Sequence, residues 1–205
     1  MKKQVLNIGL VATLGLTVAM FTSCQEENFQ PEAVVNNIEK SNSVDKTTVI
    51  DDSNTIGVTI GNTTWATRNV DIPATFAQKS SDAGKFYQYT EEIDNPCPAG
   101  WRVPTIDEFA ELLDNAQVTN EWTKHNGVNG RVFTDNATGA SVFFPAQGYS
   151  SDMVVASGGE NVSGYYWSSN EYNDEYAYSM SFNSKNAFTG NNSRTYGQAV
   201  RCVAE

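Results

Sequence analysis

Two cysteines constrain this chain more than any other feature. Cys97 sits in Asn95-Pro-Cys-Pro-Ala-Gly-Trp-Arg-Val-Pro-Thr105, a segment stiffened by proline, turned at Ala99-Gly100 and leading into a helix. Cys202 lies in the last apolar run, Ala199-Val-Arg-Cys-Val203. A bridge between them would pin that run to the helix entrance. It would close a loop of about 105 residues, which the chain-entropy model values at roughly 4–5 kcal/mol. The alternative is two buried thiols.

The third cysteine, Cys24, is read through the segment before it. Lys2 and Lys3 form a positive start, an apolar run follows from Val5 to Phe21, and Phe21-Thr-Ser-Cys24 closes it. That order of charge, apolar core and small residues is what a secretory signal needs. With cysteine directly after the small residues, the segment resembles a bacterial lipoprotein signal. The expectation is cleavage before Cys24, lipidation (palmitate) of Cys24, and a membrane partner reached through that lipid. Gln25-Glu26-Glu27 resembles the surface-export signal of Bacteroidetes lipoproteins, although three polar residues also suit a plain solvated linker. An odd cysteine count in an exported protein leaves one unpaired. If Cys24 carries lipid, Cys97 and Cys202 remain as a pair in an oxidising compartment.

The predicted organisation is a signal peptide over 1–23, a lipidated disordered tether over 24–54 and a folded domain over 55–205. Residues 25–54 are polar, with few aromatics and no sustained period, so they cannot bury enough apolar area to offset their ordering entropy. The net charge is −11, and loss of Lys2 and Lys3 would leave 11 basic against 24 acidic residues, a charge of −13. A nucleic-acid binder needs a basic face for phosphate, so nucleic acid is excluded as a partner.

Ile56, Val58 and Ile60 alternate with Gly57 and Thr59, a half-buried strand, and Gly61-Asn62 can turn it back through Thr63–Thr67. Residues 71–94 read as loop with one short strand at Phe86–Tyr89. The helix signal follows Pro104: Thr105 and Glu108 form a capping box, and Ile106, Phe109, Leu112, Leu113 and Ala116 define one apolar face. Strands are predicted at 131–134 and 140–144, around the five-residue loop Asp135–Gly139, then at 165–169, 177–182 and 199–203.

Taken in order, Gly61-Asn-Thr-Thr-Trp65 with Arg68-Asn-Val70, Cys97–Thr105, Phe144-Pro-Ala-Gln-Gly-Tyr149, Gly164-Tyr-Tyr-Trp-Ser-Ser169 and Ala199-Val-Arg-Cys202 resemble the Fibrobacter succinogenes major paralogous domain. The resemblance covers about 56–205. It implies a fold similar to C-type lectin-like domains, where a cysteine near the first helix pairs with one in the last strand, as Cys97 and Cys202 would. The second disulfide common in those lectins has no counterpart here. The fold class expected is therefore α+β: a lectin-like domain of short antiparallel strands and one or two helices, with its N- and C-terminal strands brought together. The family also implies a cell-envelope location, with no established activity; residues 25–27 add the expectation of the outer membrane, exposed at the surface.

His125 is the only histidine, so any Ser-His or Cys-His relay must use it. It sits in the polar Lys124-His-Asn-Gly127, where a surface role is expected. Residues 166–169 and 200–202 are loosely reminiscent of formylglycine-generating enzymes, but those need reactive cysteines, and these two are read as structural. Asn170-Glu-Tyr-Asn-Asp-Glu175 is rich in oxygen ligands of the kind calcium takes. It lacks EF-hand spacing and the triplets of calcium-dependent lectins, and it reads as a solvated acidic loop with no cofactor. Trp101 and Trp167 are expected in the core. Tyr149, Asn170, Glu171, Tyr172, Asn173, Asp174 and Tyr176 are the candidate ligand-binding residues. The function expected is non-catalytic binding or adhesion toward a glycan or surface protein. The alternative is a structural, fimbria-associated component, and a cryptic enzyme comes last.

Overall fold

In the computed structural model the described residues are 55–90, 95–151 and 154–205. The predicted signal peptide and tether, Cys24 included, lie outside them. The first strands, β1 (Gly57–Ile60) and β2 (Thr63–Ala66), form a hairpin whose turn needs Gly61 at φ 60°. Two short strands follow, β3 (Tyr87–Gln88) and β4 (Trp101–Arg102). Next comes α1 (Ile106–Leu112), capped as its sequence dictates. Thr105 Oγ1 accepts from Glu108 N, and the Glu108 carboxylate accepts from Thr105 N at 2.7 Å.

The rest of the described chain is strand and turn. β5 (Val118–His125), β6 (Val128–Asp135) and β7 (Ser141–Pro145) form a three-stranded antiparallel sheet. Its first turn is Asn126-Gly127, with φ of 48° and 84°, the positive pair a tight hairpin needs. Further on come β8 (Gln147–Ser151), β9 (Val154–Glu160), β10 (Ser163–Glu171), β11 (Tyr176–Asn183), β12 (Ala187–Ser193), β13 (Gly197–Gln198) and β14 (Val203–Ala204). A seven-stranded sheet runs β12-β11-β10-β8-β13-β3, with β9 added on β8. A four-stranded sheet runs β1-β2-β14-β4, so the last strand lies between two early ones. Ala66 N donates to Cys202 O at 2.8 Å and fixes that meeting.

Phe144 of β7 joins the three sheets. Its ring lies 5.8 Å from Trp65 of the four-stranded sheet, 5.2 Å from Phe133 of its own and 4.9 Å from Tyr166 of the seven-stranded one. Phe109 and Leu112 of α1, with Met180 and Phe182, complete this main core. A second cluster gathers Trp167, Val200, Tyr89, Val103, Cys97 and Cys202. There Cys97 and Cys202 are bonded, their Cα atoms 6.0 Å apart. Trp167 is fully buried. Trp101 is half-buried, edge-on to Phe76 at 5.5 Å.

This architecture overturns the expected α+β lectin-like class. The domain is mostly β-sheet, sandwich-like in its packing, and its described residues hold one helix of seven residues. A helix of about two turns caps an opening in the core but cannot form a layer. The strands that tip the balance, β5, β8, β9 and β12, are rich in Thr, Asn, Gly and Ser and carry little apolar alternation. The predicted strands at 56–60, 131–134, 140–144, 165–169 and 177–182 are present.

Candidate functional site

The acidic loop between β10 and β11 does not converge on a ligand. Asn170 Oδ1 accepts from Ile106 N at 2.8 Å and so serves the first turn of α1. Asn173 Oδ1 accepts from Glu175 N and Tyr176 N, at 2.9 and 2.8 Å, and closes its own turn. Tyr172 packs edge-on against Tyr178 at 5.2 Å, while Asp174 and Tyr176 are exposed. Glu171 Oε2 lies 2.9 Å from Arg194 Nη2. Among the described residues no three carboxylate, imidazole or thiol groups gather as a metal site would require.

Glu171 does line a cleft of about 430 Å³, with Tyr89, Arg102, Thr105, Trp167 and Ser169 among its walls. Several of its polar groups are already engaged. Trp167 Nε1 donates to Tyr87 O at 2.7 Å, and the Tyr89 hydroxyl donates to Ser169 O at 2.9 Å. Arg102 forks onto Glu108 at 2.9 and 2.6 Å. The Arg194 guanidinium lies 5.1 Å over the Tyr89 ring. Burial raises the Tyr89 phenol above its ordinary value; Glu171 adds to this and Arg194 opposes it. A polar ligand here would compete with ion pairs that the fold makes for itself.

Tyr149 belongs elsewhere, on the open part of the seven-stranded sheet. Its ring meets Tyr165 of β10 at 5.2 Å, edge-on, and Tyr196 of the β12–β13 turn at 5.1 Å, tilted by 37°. All three rings are half-buried, and no other described residue bonds their hydroxyls. Two other strand-borne tyrosines differ: Tyr87 donates to Asp71 O at 2.6 Å and Tyr166 to Pro145 O at 2.8 Å. Tyr165 stands opposite Ser181, and Ser181 opposite Phe188, so the register sets these three on one face across β10, β11 and β12. Phe188 is 51 % exposed. With strands about 4.8 Å apart, Tyr165 and Phe188 flank the small Ser181 at roughly 10 Å from each other. The result is an aromatic surface four elements wide.

The candidate residues read from the sequence include Tyr149 but neither Tyr165 nor Tyr196. Tyr165-Tyr166-Trp167 alternates about the strand: Tyr166 enters the main core, while Tyr165 and Trp167 share the other face. Only Trp167 is covered there, by the second cluster. Tyr196 sits in a turn and carries no periodic signal. His125 lies at the β5–β6 hairpin, its ring 5.2 Å from Phe143 and its Nε2 3.2 Å from Asn126 Nδ2.

The described residues thus define a disulfide-tied, mainly β domain that presents an aromatic face. Residues 36–204 match the model of the Fibrobacter succinogenes major domain, and the chain belongs to that family. No curated protein and no solved structure matches it.

Proposed function

We propose that this chain is a cell-envelope lipoprotein, anchored through lipid on Cys24, whose β domain binds glycans without catalysis. The observation that carries the reading is the Tyr149–Tyr165–Tyr196 cluster. The Tyr149 ring lies 5.2 Å from Tyr165 and 5.1 Å from Tyr196, all three stay half-exposed, and no described residue bonds their hydroxyls. Apolar ring faces beside free hydroxyls suit a sugar, which has C–H faces edged by hydroxyl groups. The β-sheet beneath holds them rigid, which limits the entropy lost on binding. The test is a glycan array followed by titration of any hit. Tyr149→Ala and Tyr165→Ala should each weaken binding about tenfold or more, equivalent to at least about 1.4 kcal/mol. Full-strength binding by both variants would remove the cluster from the site.

A structural role by strand addition has one observation in its favour, the uncharged edge strand β12.

A further inference from the structure

An edge strand offers unpaired N–H and C=O groups to another chain, and proteins guard such edges with charge, proline or bulges. β5, at the edge of the three-stranded sheet, carries Glu121 and Lys124. β12, at the edge of the seven-stranded sheet, runs Ala187-Phe-Thr-Gly-Asn-Asn-Ser193 with neither charge nor proline, and its pairing with β11 shows no bulge. Its outward groups can be read from the ladder. Asn183 N bonds Asn186 O at one end and Arg194 N bonds Glu175 O at the other. By alternation, Phe188, Gly190 and Asn192 bond inward to β11, leaving Ala187, Thr189 and Asn191 facing out. Among the described residues nothing pairs with that edge.

We infer that β12 pairs antiparallel with β12 of a second copy of this chain, about a two-fold axis at Gly190. The strand is self-complementary in this register. Thr189 meets the partner's Asn191 as a hydrogen-bonded pair. Gly190 meets itself as a non-hydrogen-bonded pair, the closer kind, where a missing side chain lets backbones approach. Charge also fits. The turn leading into β12 carries the exposed Lys185; at its far end Arg194 is paired with Glu171 at 2.9 Å, and the turn beside it adds Asp174 and Glu175. Antiparallel pairing brings the Lys185 end of each copy toward the acidic end of the other. A parallel arrangement would set like charges together. An unrelated strand would have no reason to match this polarity.

The test uses the full chain, followed by sedimentation over a range of concentrations at low and moderate salt. A reversible dimer that weakens as salt rises is expected. Thr189→Pro removes an outward N–H without touching the β11 ladder, and Lys185→Glu reverses the complementary charge; each should weaken association at least tenfold. Gly190→Cys is the register test, because a Cβ there meets nothing closer than the Phe188 ring at 3.9 Å. Under mild oxidation it should give a disulfide dimer, whereas Phe188→Cys, which faces the partner's Asn192, should not. If Thr189→Pro fails to fold, the Gly190→Cys cross-link decides alone. A chain that stays monomeric and fails to cross-link overturns the proposal. So does a dimer indifferent to a folded Thr189→Pro, or a Gly190→Cys adduct to a different polypeptide. No glycan enters the experiment, so its outcome is separate from that of the binding test.

Discussion

Tyr166 and Arg201 occupy the centre of the domain, both fully buried, and no described carboxylate pairs with the arginine. Arg201 Nε donates to Asn69 Oδ1 at 2.8 Å and Nη1 to Ala66 O at 3.0 Å, and the guanidinium lies 4.5 Å over the Phe144 ring. Backbone carbonyl, amide oxygen and ring face together stand in for a counterion. Burial still presses Arg201 below its ordinary value, with Tyr166 opposing that shift. The Tyr166 hydroxyl donates to Pro145 O and approaches Gln147 Oε1 at 3.0 Å; burial raises it to about 12, against the pull of Arg201 and its hydrogen bonds. A phenol whose folded value exceeds its unfolded value of about 10 contributes stability in full below pH 10, and that stability fades as pH rises toward 12. Tyr166→Phe should therefore cost about 1–3 kcal/mol at pH 7, by leaving buried acceptors without a donor. The deficit should shrink between pH 10 and 12, because only the wild type loses this contribution there. Denaturant unfolding of both proteins at pH 7 and pH 11 checks it; an equal deficit at both would deny the phenol this role.

At the scale of elements, α1 is short and is held by what surrounds its first turn. Glu108 accepts from Thr105 N and from both Arg102 nitrogens, and Asn170 supplies an acceptor to Ile106 N. Partial burial pushes the Glu108 carboxyl upward, but the Arg102 and Thr105 bonds outweigh it and leave it below its usual range. The stability it contributes is present above the unfolded value near 4.3 and is lost as pH falls through the folded one. Glu108→Gln should cost about 1–2 kcal/mol at pH 7 and distinctly less at pH 3, read from thermal unfolding at each. A pH-independent cost would mean the side chain acts by packing. The capping box was legible because Thr105 and Glu108 stand at its fixed spacing, just before an apolar period. Strands β10 and β11 were legible through alternating aromatics. By contrast β5 and β12 hold their place by pairing with a patterned neighbour, and their Thr, Asn and Gly carry no period that a sequence can display. The loop residues 170–176 drew notice for their oxygen content, yet those oxygens close turns and cap α1. What selects Tyr149 and Tyr165 is which half of a sheet face stays uncovered, a property of distant segments.

For the whole molecule, five motifs in order imply a lectin-like plan through the family they resemble, while the balance of helix to strand rests on segments without strong patterns. The long-range link was sounder, since Cys97 and Cys202 are bonded at a separation of 105 residues. That bond ties the segment entering β4 and α1 to the residue just before β14, the strand between β2 and β4, within the second core cluster. Its effect should fall mainly on the unfolded chain, whose largest loop it closes. Replacing both cysteines by alanine should lower stability by roughly 4–5 kcal/mol, about the magnitude the loop-entropy model assigns to a ring of this length. Chain entropy and lost native contacts differ in a second observable. Without the bridge the unfolded state expands and exposes more surface, so the denaturant m-value of the double variant should exceed that of the oxidised protein. Guanidinium unfolding gives both numbers in one experiment. A lowered midpoint at unchanged m-value would assign the loss to packing around the two sulfur atoms, where both residues are buried, and would reverse this account. A larger m-value with the fold otherwise intact would show that three sheets assemble around Phe144 without the covalent tie, which serves to restrict the chain before it folds.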